Sequence, residues 1–160
     1  LSDKKGGIDK DSGNERFELG RVTRREVLGA DHVAASDAKR NAFNADFLDF
    51  ITEGAWGSLW SRPGLTRRER SLITLALLAA GGHFEEVAMH VRATANTGAT
   101  PEDIKEALLH VAVYAGVPAA NQAFKVAQQA LEEMGEEMGQ ELGEDAKGRD
   151  NEKGSQEERS

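Results

Sequence analysis

Two helix-start signals, each followed by an apolar span, restrict this chain to helical folds. TRRE at 66–69 reads as a capping box, with Thr66 as N-cap and Glu69 three positions on. TPED at 100–103 places Thr100 as N-cap, Pro101 at the first helical position and acids in the first turn. Behind the first signal runs an eleven-residue apolar stretch from Leu72 to Gly82, too short to cross a bilayer. Behind the second, Ile104, Ala107, Leu108, Val111 and Ala112 recur at helical spacing. Between them a helix is expected from about His83 to Ala95, stopped at NTG with Gly98 in the left-handed conformation. Gly116 and Pro118 interrupt the TPED helix, and AANQAFKVAQQALEEM supplies another. Upstream, SDAKRNAFNADFLDFI suggests Ser36 as the N-cap of a helix with Ala42, Phe43, Phe47, Phe50 and Ile51 at helical spacing. Trp56 and Trp60 follow four apart, and RPG at 62–64 closes that segment. No stretch sustains strand alternation. The predicted fold is all-α, a compact domain of short helices.

The folded part is expected over residues 20–135. Residues 1–16 are polar with no usable periodicity, so an N-terminal tail over 1–19 is expected to be disordered. The segment after about Met138 has the same character, giving an acidic, disordered tail over 136–160. The net charge of −8 belongs mostly to that end. Residues 131–160 hold eleven acids and four bases, leaving the other 130 residues at −1. A near-neutral core with no basic, aromatic-interleaved face argues against nucleic-acid binding, and no segment supports a membrane role. There is no cysteine, which excludes disulfides, thiolate metal sites and thiol redox chemistry. With no basic-then-apolar leader, this composition predicts a cytoplasmic protein.

The 66–80 helix is apolar over most of its circumference. One small domain has too little surface to cover it on all sides, so a homo-oligomer is expected.

Chemistry gathers in HFEEVAMH, directly after that apolar run. On a helix, His83, Glu86 and His90 fall at i, i+3 and i+7 along one stripe. Glu86 stands four residues before His90, where a carboxylate can hold an imidazole and favour its protonated form, as a general acid requires. The same pair reads equally as a solvated i,i+4 contact worth a few tenths of a kcal/mol. A zinc site is a third reading, disfavoured because the spacing is not HExxH and no second cluster supports it, so no metal is expected. Glu69 reads as a cap. His110 and Tyr114, four apart, are either core residues with satisfied polar tips or site residues, and His32 has no motif around it.

RREVLG at 24–29, ADHV at 30–33 and the whole of 70–124, with EEVAMHVRA, TPEDIKEALLH and YAGVPAANQAF its most specific elements, resemble the carboxymuconolactone decarboxylase family. The resemblance covers nearly all of the expected folded part and neither tail. It implies an alkyl hydroperoxidase D-like fold and a ring-like assembly such as a hexamer. The peroxidases of that wider group carry CxxCxxxH, whose positions fall here on His83, Glu86 and His90, and an upstream glutamate that falls near Ser71. Without thiols the peroxidase reaction has neither nucleophile nor electron relay.

What remains implied is a cofactor-independent carboxy-lyase acting on a small anionic lactone. 4-Carboxymuconolactone would lose CO₂ and give 3-oxoadipate enol-lactone in protocatechuate breakdown. The electrons left by CO₂ spread to the lactone carbonyl, so the protein must bind an anion, stabilise a dienolate and deliver one proton. On this reading His90 is the proton donor, Glu86 orients it and His83 helps to hold the dienolate. Arg70 and Arg92 are candidate carboxylate partners, with surface salt bridges as the alternative. Ser71, His110 and Tyr114 complete the candidate substrate-binding set. Competing readings are a binding or scaffold protein on the same fold, and an enzyme for another lactone or keto acid.

Overall fold

The computed structural model describes residues 10–135. Within them lie α1 (Lys10–Leu28), α2 (Ala30–Asp37) and α3 (Ala45–Ile51), the last running straight into a π-helical segment, Thr52–Trp60. Then come α4 (Arg67–Ala80), α5 (Phe84–Thr97), α6 (Pro101–Tyr114) and α7 (117–135). No strand occurs among the described residues, so the all-α expectation holds. The residues 1–9 and 136–160 of the two expected tails lie outside the described part. The structure differs over 10–19: α1 starts there, tied down by an Arg16–Glu53 ion pair at 3.2 Å and by close backbone packing described below.

The local signals act where they were read. Thr66 Oγ1 accepts from the Glu69 backbone N–H while the Thr66 N–H donates to the Glu69 carboxylate. Thr100 and Asp103 repeat that reciprocal box at the start of α6. Each such cap satisfies orphan donors and is worth about 1 kcal/mol. Asp103 also accepts from Arg68 Nε at 2.8 Å, clipping the start of α6 to the start of α4. These bonds, Arg68's first, hold its carboxyl far below the usual carboxylate range. Gly98, at φ 79°, ends α5 in the left-handed conformation.

The 36–51 helix is not formed as expected. Gly29, at φ 89°, ends α1, and ADHV starts a separate short helix that Ser36 closes rather than opens. The Ser36 hydroxyl accepts from Arg24 Nη2 at 2.8 Å instead of capping a helix. The stripe of Phe43, Phe47 and Phe50 faces outward, with Phe43 98% exposed.

Two cores result. The larger joins Leu75 and Ala79 of α4, Val87 and Val91 of α5, and Ile104, Leu108 and Val111 of α6, closed by Ala120, Ala123, Ala127 and Ala130 of α7. Alanines at these α7 positions let its backbone approach closely. The smaller core gathers Val27 of α1, Trp56 and Trp60 of the π segment, and Ala93 of α5. Ile73 and Leu77, on the far side of α4, remain 48% and 68% exposed, as the all-round apolar sequence of that helix foreshadowed.

Glycines make the smaller core possible. α1 crosses the π segment so closely that a Cβ on Gly57 would stand 2.1 Å from the Arg16 carbonyl oxygen, and one on Gly20 2.1 Å from that of Thr52. Both obstacles are backbone and cannot rotate away. Gly57→Ala is therefore expected to cost about 3 kcal/mol, the top of the usual range for overpacking. A urea titration checks this; a loss below about 1 kcal/mol would mean that the crossing relaxes easily.

Candidate active site

His90 sits on the inward side of α5, only 6% exposed, one residue from the fully buried Val91. Its ring stacks on Trp60, centroids 6.0 Å apart and planes 15° apart, and Trp60 in turn packs against Trp56 at 5.3 Å. The RPG stop after the π segment leaves Trp60 as its last residue, directed into this core. His90 Nδ1 is buried with no hydrogen-bond partner.

Burial pushes His90 down from 6.5 to about 4; the nearby positive charge of His32 adds to this, and Glu86 opposes it weakly. The expectation of an imidazole held protonated by Glu86 is thereby corrected. Glu86 is exposed and makes no hydrogen bond to His90 among the described residues. Removing the charged ring from water outweighs a carboxylate that itself remains in water. His83 also departs from the expected stripe. It is the exposed residue before α5, with its ring over Gly81, where an added Cβ would lie 2.8 Å from His83 Cδ2.

Arg70, on the first turns of α4, is 8% exposed. Its Nη2 donates to the Arg62 carbonyl at 2.9 Å, while Nε is buried without a partner. No carboxylate pairs with it among the described residues. With Trp60, Leu59, Leu65, Ile73 and Thr74 it lines an open cleft of about 140 Å³. Arg70 Nε and His90 Nδ1 are the two buried side-chain polar atoms left without partners among the described residues. Trp60 links their surroundings, stacking on His90 and lining the cleft that Arg70 shares, although His90 does not line that cleft. An unpaired buried cation and an unpaired buried imidazole are each costly, and an anion in the cleft would supply the partner that Arg70 lacks.

The other candidates are spread elsewhere. Ser71 is fully buried and shares a 2.8 Å hydrogen bond with Thr97, tying α4 to α5. Arg92 is exposed and pairs with Glu133 of α7 at 2.5 Å, the surface bridge named as its alternative. His110 and Tyr114 are exposed and stack on each other at 6.3 Å, with His110 Nδ1 3.1 Å from the Glu106 carbonyl. They lie off the α6 stripe that packs into the core, in a separate shallow cleft with Glu106, Leu109 and Val113. No three of His, Cys, Asp and Glu cluster to share a metal ion among the described residues.

Two neighbours of His90 were not assigned from sequence. Trp60 was seen only as half of a Trp pair; the stop signal after it was the clue to its special position. His32 gave no local signal, because it reaches the site from α2. Partial burial lowers its pKa, followed by the charges of Arg24, Arg92 and Lys39.

The sign of the His90 shift makes a prediction. Its folded value lies below the unfolded 6.5, so the native state favours the neutral ring. That contribution is complete above about pH 6.5 and is lost as pH falls toward 4, amounting to about 3 kcal/mol in full. Denaturant titrations of the wild type and His90→Asn over this range are expected to diverge as pH drops, with the wild type losing more. Parallel curves would mean that the ring is not held neutral by burial.

A helical domain of the alkyl hydroperoxidase D-like class is what the fold defines. The sequence profile of the carboxymuconolactone decarboxylase family matches residues 45–129. A 4-carboxymuconolactone decarboxylase from Acinetobacter baylyi is 47% identical over 118 residues, covering 74% of this chain and 88% of that protein. A nitrosuccinic acid decarboxylase from Metarhizium robertsii is 42% identical over 117 residues, covering 72% and 80%. The chain belongs to the carboxymuconolactone decarboxylase family, and it is an enzyme of the carboxy-lyase type. No helix among the described residues is long and apolar enough to cross a membrane.

Proposed function

We propose that the protein converts 4-carboxymuconolactone to 3-oxoadipate enol-lactone and CO₂, without a cofactor, as a cytoplasmic homo-oligomer in aromatic breakdown. The observation that carries the site assignment is the pair of unsatisfied buried groups, Arg70 Nε and His90 Nδ1, against Trp60.

Arg70 takes a substrate carboxylate in an open cleft whose other walls are largely apolar. When the carboxylate on the ring carbon next to the double bond leaves as CO₂, the electrons of the broken C–C bond pass through that double bond to the lactone carbonyl. His90 then gives a proton to ring carbon. Since the free imidazole is neutral near pH 7, that proton must arrive with the substrate. A bound anion near the ring raises its pKa, commonly by 1–3 units, to about 5–7. Glu86 contributes a weak field in the same direction rather than a hydrogen bond. His83, Arg92, Ser71, His110 and Tyr114 have no direct step in this scheme.

The fungal relative's name supports a second reading, decarboxylation of a nitro acid. A nitro group on the carbon that loses CO₂ is an electron sink of the same kind, and the site would make the same two demands. Purified protein mixed with each acid, without added metal or cofactor, separates the readings by CO₂ release. Faster turnover of the lactone is expected. Preference for nitrosuccinate would transfer the assignment to the second reading, and turnover of neither would leave a binding protein on this fold.

A further inference from the structure

The first turn of α4 carries three arginines, and two of them are already neutralised within the chain. Arg67 pairs with Glu26 and Arg68 with Asp103. Arg70, the most buried of the three, has no carboxylate partner among the described residues. Of the six residues lining its cleft, Arg70 alone is charged. The cleft can therefore pair with one carboxylate and not with two.

Both acids considered above carry two carboxylates, and they share a skeleton. In 4-carboxymuconolactone the ring carbon that loses CO₂ also bears a carboxymethyl arm; in nitrosuccinate the nitro-bearing carbon does. One carboxylate departs and the arm's carboxylate stays in the product. The two make opposite demands on a cation. As the C–C bond breaks, its electron pair moves into the sink and CO₂ leaves neutral. A cation paired with the departing group would thus hold the ground state more firmly than the transition state and slow the reaction. The arm keeps its charge throughout, so a cation there binds substrate and transition state alike. Size agrees. A cavity of about 150 Å³ takes one benzene ring. A cleft of about 140 Å³ has room for the arm and its carboxylate but not for the whole of either acid. His90 stacks on Trp60 outside the cleft, so the end that receives the proton must lie beyond it.

We propose that Arg70 holds the carboxylate that stays in the product, and that the site selects diacids of the succinate type, with the departing carboxylate and a carboxymethyl arm on one carbon joined to an electron sink. Arg70 then sets specificity without opposing the loss of CO₂. The product keeps the group that Arg70 holds, so it should bind about as well as the substrate and compete with it. The assignment rests on the decarboxylation proposed above, but not on which of the two acids is preferred.

Inhibition of the full chain by two lactones tests it. One is the product, 3-oxoadipate enol-lactone; the other is α-angelica lactone, the same ring with a methyl group in place of the carboxymethyl arm. The wild type should bind α-angelica lactone at least about 30-fold more weakly, the fold-change of losing one buried charged contact. Arg70→Met should raise KM and the product's Ki by the same factor, about 10², with most of the effect in KM rather than kcat, and leave the Ki of α-angelica lactone within about twofold. Circular dichroism checks folding; should Arg70→Met not fold, Arg70→Lys, which loses the paired N–H donors, should weaken the product severalfold and spare α-angelica lactone. If nitrosuccinate proves the better substrate, 3-nitropropanoate and nitroethane make the same comparison. Equal binding of the two lactones to the wild type would overturn the proposal. So would a folded Arg70 variant with raised KM and unchanged product Ki, which would put the arginine on the departing carboxylate. A wild type that turns over neither acid would overturn the functional assignment and this one with it, whereas turnover with either of the preceding results overturns this one alone.

Discussion

His90→Ala is expected to lower kcat for the lactone by about 10²–10⁴, the usual contribution of a positioned proton donor, while the helical content stays intact. The change removes a buried imidazole whose Nδ1 has no partner, so the lost packing is partly offset by relief of an unsatisfied polar group. The pH dependence adds a check. With the free ring titrating at about 4, kcat/KM should fall roughly tenfold per pH unit between about 5 and 8, because less of the enzyme carries the required proton. Substrate binding at pH 7 should draw a fraction of a proton per site from the buffer, up to about one half, and more as pH falls toward 6, read by calorimetry in buffers of different ionisation enthalpy. Near wild-type turnover by His90→Ala, or binding without proton uptake, would remove His90 from the proton-transfer step. Glu86→Gln should change the profile only slightly, since its carboxylate acts from the surface.

Arg70→Met is expected to cost 10²–10³ in kcat/KM while leaving stability unchanged or raising it. Truncating one side of a buried charged contact typically costs 2–5 kcal/mol of binding. In the free protein, however, Arg70 has no carboxylate partner among the described residues and an orphaned Nε, so an apolar side chain of similar length suits the site better. Opposite movements of activity and stability would be hard to obtain from a merely structural arginine. Equal losses of both, measured by steady-state kinetics and urea titration, would make Arg70 a structural post for the Arg62 carbonyl instead.

How much of this could be read beforehand differs from element to element. α4, α5 and α6 start and stop where TRRE, NTG and TPED say, because caps and left-handed glycines act within one turn and need no distant partner. α1 carried no comparable signal in its polar first half; its crossing with the π segment, at Gly20 and Gly57, is a long-range contact that no local pattern encodes. The Phe43, Phe47 and Phe50 stripe had a helical period, and a period says that a face exists but not what covers it. In the site, His90 was identified by residue type and neighbourhood. Its supposed partner was misjudged because residues four apart on a helix point about 40° apart, enough for one to be buried while the other meets water.

The amino-acid order alone settled helix type, most helix ends, the absence of thiol chemistry and the imidazole at position 90, since all of these depend on neighbours along the chain or on the residue itself. Only the packing decided that His90 would be neutral, that Trp60 would be its partner instead of Glu86, and that Arg70 rather than Arg92 would lack a counter-charge. Those outcomes depend on which groups lose water and which keep it, and that is fixed when separate helices close on one another.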